Sequence, residues 1–140
     1  MATDLFPKGE TKDLPGGMLI QCIASGTVNE NDVVLLVTAA GTDGIPTVKT
    51  ADANDSVVVF GVAIETKLTG EYVMVKKGGL YKVKITCSTV AIAVGDALAS
   101  DNGGGAKEAA DPTAGLTIFA KALQATVTQN DEILAASWGG

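Results

Sequence analysis

Four groups of residues in this chain have types and spacings that could do chemistry. Gly103-Gly104-Gly105-Ala106-Lys107 puts a lysine behind a glycine run, as a phosphate-cradling loop does. Asp52, Asn54 and Asp55 offer closely spaced oxygens of the kind that hold calcium. Asp32 and Asp96 occupy matching places in two similar stretches and suggest a carboxylate dyad. Cys22 and Cys87 could pair, or act as nucleophiles. Each fails on its surroundings. A phosphate loop needs Gly-Lys-Ser/Thr opening a helix after a buried strand, whereas here alanine precedes the lysine and glutamate follows it. The glycine and distal glutamate of a calcium loop are missing, which leaves an ordinary solvated turn. Asn31-Asp32 and Gly95-Asp96 fit turns ahead of strands, their carboxylates bonding nearby backbone amides. Both cysteines lie in apolar strand-like runs and read as buried thiols rather than as a disulfide.

Composition narrows the chemistry further. All ten basic residues are lysine, and histidine and arginine are both absent. No Ser-His or Cys-His pair and no His-ligated metal can therefore be built. A net charge of −6 without arginine is a poor match to a phosphate backbone. The amino terminus has no basic-then-apolar signal segment, and no apolar run approaches the ~18 residues of a membrane span. The expectations are a soluble protein made in a cytosol, with no enzymatic activity, cofactor, metal, nucleic-acid partner or membrane partner.

The elements that must position these residues are strands. A chain of 140 residues is one domain that can bury roughly 65–70% of its unfolded surface. Its 46% hydrophobic content includes one tryptophan, two tyrosines and three phenylalanines, so short side chains build the core. Seventeen glycines supply turns, and the class expected is all-β. Strands are expected at Met18–Ile23, Asp32–Thr38, Val57–Ile64, Glu71–Val75 and Leu80–Ile85, with an Asp43-Gly44 hairpin and a Gly78-Gly79 tight turn. In the last strand Lys82 and Lys84 alternate with Tyr81, Val83 and Ile85, which gives one wet face.

The chain also repeats itself. Asn31-Asp32-Val33-Val34 is echoed by Gly95-Asp96-Ala97-Leu98, Val59-Phe60-Gly61 by Ile118-Phe119-Ala120, and Gly70-Glu71-Tyr72 by Asn130-Asp131-Glu132. The offset shortens between the aspartates and the phenylalanines, so an intervening loop has changed length. The halves run over about 28–85 and 90–136 within a domain of residues 18–140. Asp101 to Gly105 reads as a flexible turn, Lys107 to Ala114 as one helical turn, and Leu116 to Ala125 as a strand by its match to the first half.

Residues 1–17 stand apart as an extended, polar arm with one aromatic, Phe6, beside Leu5 and Pro7. Phe6 either folds back on the core or anchors the arm on a partner. Trp138 either packs over the sheet or makes an intersubunit contact. Half of the lysines, Lys67, Lys76, Lys77, Lys82 and Lys84, crowd one stretch. That stretch is a solvated face that discourages aggregation, or one half of a charge-complementary contact with a subunit or partner.

From Phe60-Gly61-Val62-Ala63-Ile64-Glu65 through Gly70-Glu71-Tyr72-Val73-Met74-Val75-Lys76-Lys77-Gly78-Gly79-Leu80-Tyr81-Lys82-Val83, the sequence resembles the head decoration (capsid cement) proteins of tailed bacteriophages. The turn–strand–hairpin from Asn31 to Gly44 resembles the same family. The resemblance implies a small β-barrel or β-tulip domain on the outer surface of an expanded capsid. It implies binding to the major capsid protein, with homotrimers at local three-fold positions that stabilise the head. It also implies an arm that adds to the capsid as a strand, which puts Thr3, Asp4, Leu5, Phe6, Pro7, Lys8 and Leu14 in the contact. Lys76, Lys77, Lys82, Lys84 and Trp138 are then candidates for subunit or capsid contacts. The alternative is a virion or cell-surface adhesion module that binds glycans through its loops, which would require aromatics on loops rather than in strands.

Overall fold

The computed structural model describes residues 11–37, 44–52, 59–109 and 118–137. A short 3-10 turn, Thr11–Asp13, precedes ten strands: β1 (Met18–Ala24), β2 (Val33–Val37), β3 (Thr47–Thr50), β4 (Val59–Ala63), β5 (Tyr72–Lys77), β6 (Leu80–Lys84), β7 (Ala97–Asp101), β8 (Gly105–Glu108), β9 (Ile118–Ala122) and β10 (Glu132–Ser137). The first five close into a barrel in the order β1-β3-β2-β4-β5, and the last five form a sheet in the order β6-β10-β9-β7-β8.

These are two copies of one unit. If β6 to β10 replace β1 to β5 in turn, the neighbours are the same. The barrel closes through a parallel pair, Ile23–Ala24 against Thr47–Val48, and the second sheet repeats that closure as a single parallel bridge, Ile85 to Ala106. Ala24 N–H donates to Glu71 O while Gly70 N–H donates to Ala24 O; Ile85, Asp131 and Asn130 reproduce both bonds. Each unit also has a bulge at the same place. The extra residue is Phe60 between the β2 partners Val34 and Leu35, and Phe119 between the β7 partners Leu98 and Ala99. The length change seen in the sequence lies in one hairpin: residues 38–46 join β2 to β3, but only residues 102–104 join β7 to β8.

The boundary between units differs from the sequence expectation. β5 pairs with β1 and β4, and β6 pairs with β10, so Gly78-Gly79 is no hairpin turn but the crossing from one unit to the other. β6 therefore begins the second unit instead of ending the first. The expected helical turn at Lys107–Ala114 is also corrected: Lys107 and Glu108 lie in β8, paired with Ala99 and Leu98. Residues 110–114 lie outside the described set. The strand expected across Leu116–Ala125 is present as β9.

Alternation within the strands divides the core. Cys22, Ala24, Val28, Val34, Val48, Ala63, Val73 and Val75 fill the barrel. Val33, Leu35, Val59 and Val62 sit on its outer face, yet they are buried in one cluster with Tyr81, Val83, Ile85, Leu98, Phe119 and Ile133 of the second unit. Burial of each such aliphatic side chain contributes about 1.5–3 kcal/mol, so this shared cluster holds the units together.

The β7–β8 turn finishes the joint. Gly104 N–H donates to Ala51 O at 2.9 Å, and Val33 N–H donates to Gly104 O at 2.8 Å. The turn is thus wedged into the first unit, not left flexible. Gly104 has φ +79, and a Cβ there would lie 2.6 Å from Asp32 Oδ1 and 2.8 Å from Thr50 Cγ2. Its neighbour Gly103 has φ +80 but open space around it. Gly103→Ala should therefore cost only the strain of a left-handed alanine, about 1 kcal/mol, and Gly104→Ala about 3 kcal/mol in urea unfolding. Equal losses would mean that the contact with Asp32 carries no weight.

Candidate functional site

Two neighbouring features could serve a partner: the anchored base of the N-terminal segment, and the open edge of β1. The anchor begins at Lys76. In sequence it belongs to a lysine-rich surface stretch, but it is only 3% exposed. Its Nζ donates to Leu14 O at 2.7 Å, Leu80 O at 2.7 Å and Pro15 O at 3.2 Å. Burial lowers its pKa from the ordinary lysine value. Thr11 holds the other end: its N–H donates to Asn31 Oδ1, and its hydroxyl accepts from Lys82 N–H and donates to Lys82 O. Leu80 N–H donates to Pro15 O, and Lys12 pairs with Glu30 at 3.5 Å. Gly16-Gly17 then crosses Gly78-Gly79 so closely that a Cβ on Gly17 would lie 2.3 Å from Gly78 O.

The expected site residues therefore divide. Leu14 is buried and Lys76 is enclosed, so neither is offered to a partner; Leu14 belongs to the domain and Lys76 ties it there. Residues 11–17 are built onto both units, so the expected extended arm does not include them. Thr3, Asp4, Leu5, Phe6, Pro7, Lys8 and Trp138 lie outside the described residues. Lys77 is exposed, with its Nζ 5.4 Å from the centroid of the Phe60 ring. Lys84 is exposed opposite Glu132, and Lys82 is half-buried beside Thr11.

The chemical candidates resolve as turn residues. Asp32 Oδ2 accepts from Asn29 N–H and from the Thr50 hydroxyl, both at 2.9 Å. Asp96 accepts from Ala93 N–H in the matching turn. Asp52 pairs with Lys49 at 2.9 Å, while Asn54 and Asp55 lie outside the described residues. Lys107, in β8, faces no phosphate loop. Cys22 and Cys87 are free thiols, and burial pushes Cys22 up to about 11, which suits a core residue and not a nucleophile. Among the described residues no cluster of three His, Cys, Asp or Glu could hold a metal ion.

The feature that sequence reasoning missed is an apolar outer face on β1 and β5. Leu19 and Tyr72 are each 54% exposed, with Ile23 and Met74 half-buried beside them. The register pairs Ile23 with Tyr72 and Gln21 with Met74. The available signal was that Met18-Leu19-Ile20-Gln21 is apolar on both faces where a barrel strand should alternate. Tyr72 stands in β5 and Tyr81, buried, in β6. Among the described residues, the large exposed hydrophobic residues on loops are Leu68, Val94 and Val127, which are aliphatic.

Fold and site together define a tandem β protein whose distinctive surfaces are a strand edge and an apolar sheet face. Among solved structures the chain is similar to the N base of the head fiber gp8.5 of bacteriophage phi29, with a TM-score of 0.63 and 20% identity, covering 86% of this chain and 92% of that one. No protein-family model matches the sequence, and no curated protein matches it.

Two expectations follow. Lys76→Met leaves the buried Leu14 carbonyl and the part-buried Pro15 and Leu80 carbonyls without their charged donor and should cost on the order of 3 kcal/mol. Hydrogen exchange should then show lost protection at Leu80 and Lys82 first; unchanged protection there would refute the clamp. For Asp32, burial raises the pKa above the ordinary value of 3.8. The folded state then binds the proton more tightly than the unfolded chain, so Asp32 ionisation subtracts stability as pH rises through that range. Asp32→Asn keeps an acceptor for Asn29 and Thr50 but does not ionise. Relative to the wild type, the variant should gain stability between acid and neutral pH, as read from urea midpoints across pH.

Proposed function

We propose that this protein is a structural component of a bacteriophage head that binds the outer surface of the capsid and stabilises it, as trimers at local three-fold positions. The observation that carries the reading is the likeness to the phi29 head fiber base over nearly the whole of both chains. The sequence resemblance to head decoration proteins supports the same setting. The geometry agrees with a role in surface and shape. Asp32 and Asp96 are turn residues, Cys22 is a core residue, and Gly104 belongs to the joint between the units. What the surface offers is a largely apolar sheet face of Leu19, Ile23, Tyr72 and Met74, with Gln21 among them, which suits contact with protein.

The major capsid protein is the partner in this reading. The exposed Lys77 and Lys84 and the N-terminal residues Thr3 to Lys8 supply contacts around the apolar face. Cosedimentation with expanded heads that lack the protein tests it directly. Saturable binding and a higher head disruption temperature are expected, and both should weaken in Leu19→Lys/Tyr72→Lys. A protein that stays in the supernatant at every concentration, or binds a glycan array in preference to heads, would overturn the proposal.

A further inference from the structure

The repeat shows how this fold treats the free edge of its first strand. In the second unit that strand is β6. Ile85 N–H faces β10, so by alternation Leu80 and Lys82 present their backbone groups on the opposite side. That side is occupied: Leu80 N–H donates to Pro15 O, and Lys82 bonds the Thr11 hydroxyl through both its N–H and its carbonyl. A short segment from outside the unit, the 3-10 turn Thr11–Asp13 and the residues after it, thus covers the edge.

In the first unit the same strand is β1. Ala24 N–H faces β5, and Ile23 N–H faces β3, where it donates to Pro46 O. The ladder with β3 consists of Ile23 and Ala24 alone. Gln21 and Leu19, the counterparts of Lys82 and Leu80, point their N–H and C=O groups toward the β3 side before β3 begins. No described strand lies there. Met18, 63% exposed, and Leu19 flank this edge, and the apolar face of Leu19, Ile23, Tyr72 and Met74 adjoins it.

We propose that the open edge of β1 accepts the N-terminal stretch Thr3–Phe6 of a second copy of this chain as an added strand. The same end of the chain already covers the β6 edge, where the Thr11 hydroxyl and the Pro15 carbonyl supply the bonds. Ten residues precede Thr11 and can reach roughly 33–36 Å when extended. That exceeds the roughly 14 Å radius of gyration of a domain of this size, so the stretch can reach a neighbour. Leu5 and Phe6 bring apolar side chains to the apolar face, and Pro7, lacking an N–H, ends the pairing. Because the donor end and the acceptor edge are different surfaces, the contact is head-to-tail and closes into a ring when the rotation allows.

The test uses two full-length variants. Gln21→Pro removes an edge N–H while the bonds to β5 stay intact, so it retains the arm and loses the acceptor. Leu5→Asp/Phe6→Asp keeps the acceptor and loses the donor. By light scattering after size exclusion, the wild type should self-associate and each variant should run as a monomer. An equimolar mixture of the two should form a 1:1 complex at least tenfold tighter than either variant's self-association. Leu19→Lys/Ile23→Lys provides a second acceptor-dead variant should Gln21→Pro fail to fold. A wild type that is monomeric up to millimolar concentration would overturn the proposal. So would a mixture that stays monomeric, or variants that associate as the wild type does. If all forms are monomeric and the edge variant alone loses head binding, the occupant of the edge is a capsid strand and the second-copy assignment fails. Head binding that survives in both variants leaves the capsid reading standing, without Thr3 to Lys8 among its contacts, whatever happens to self-association.

Discussion

One buried ammonium holds the two units and the N-terminal segment in a single arrangement. Lys76 ends β5, the last strand of the barrel, and its three bonds reach Leu14 and Pro15 on one side and Leu80, the first residue of β6, on the other. Burying a lysine is costly, as its lowered pKa records, and it is tolerated here because three carbonyl oxygens replace the lost water. The Leu80 N–H, bonded to Pro15 O, helps to bring those carbonyls together. The four glycines at 16, 17, 78 and 79 make the convergence possible, since any Cβ at Gly17 or Gly79 would overlap backbone on the crossing chain. Cation and glycine cross belong together: one supplies the attraction and the other the space.

Much of the fold was legible because strands and turns carry local signatures. Alternation in Leu80–Lys84 gave the buried face of β6 correctly, with Tyr81 and Val83 inside, and the matched aspartates were identified as turn residues. What could not be read is which strand lies beside which. Binary pattern says which side chains face inward, but it is silent on partners, so β6 was assigned to the half that precedes it. Gly78-Gly79 looks the same in sequence whether it folds a hairpin back or sends the chain onward. Lys76 misled for a similar reason. In Val-Met-Val-Lys-Lys a lysine is by default a surface residue, and its burial depends on carbonyls 62 and 61 positions away in sequence.

The site was less legible than the fold. Leu14 was grouped with the arm because it follows a polar stretch, yet it is only 6% exposed. The segment switches from its expected extended form at Thr11, whose hydroxyl acts as a strand partner to Lys82. A threonine doing the work of a backbone neighbour leaves no periodic trace. The open β1 edge is invisible for a complementary reason: only comparison with the covered β6 edge shows that the fold has a position there to fill.

The two units treat the same face of the sheet differently. Val33, Leu35 and Val62 on the outer face of the first unit enter the shared core with the second. Their counterparts are Ala97, Ala99 and Lys121, by the matched registers of β2 with β4 and β7 with β9, while Val59 on the same face is matched by the buried Ile118. Replacing Val and Leu with Ala removes two and three carbon groups respectively, at about 0.8 kcal/mol per methylene of lost burial. Lys121 is exposed and adds a charge to the same face. The first unit's outer face is therefore covered by the second unit, whereas Ala99 and Ile118 on the second unit's face pack with Ala109 in a small cluster of their own.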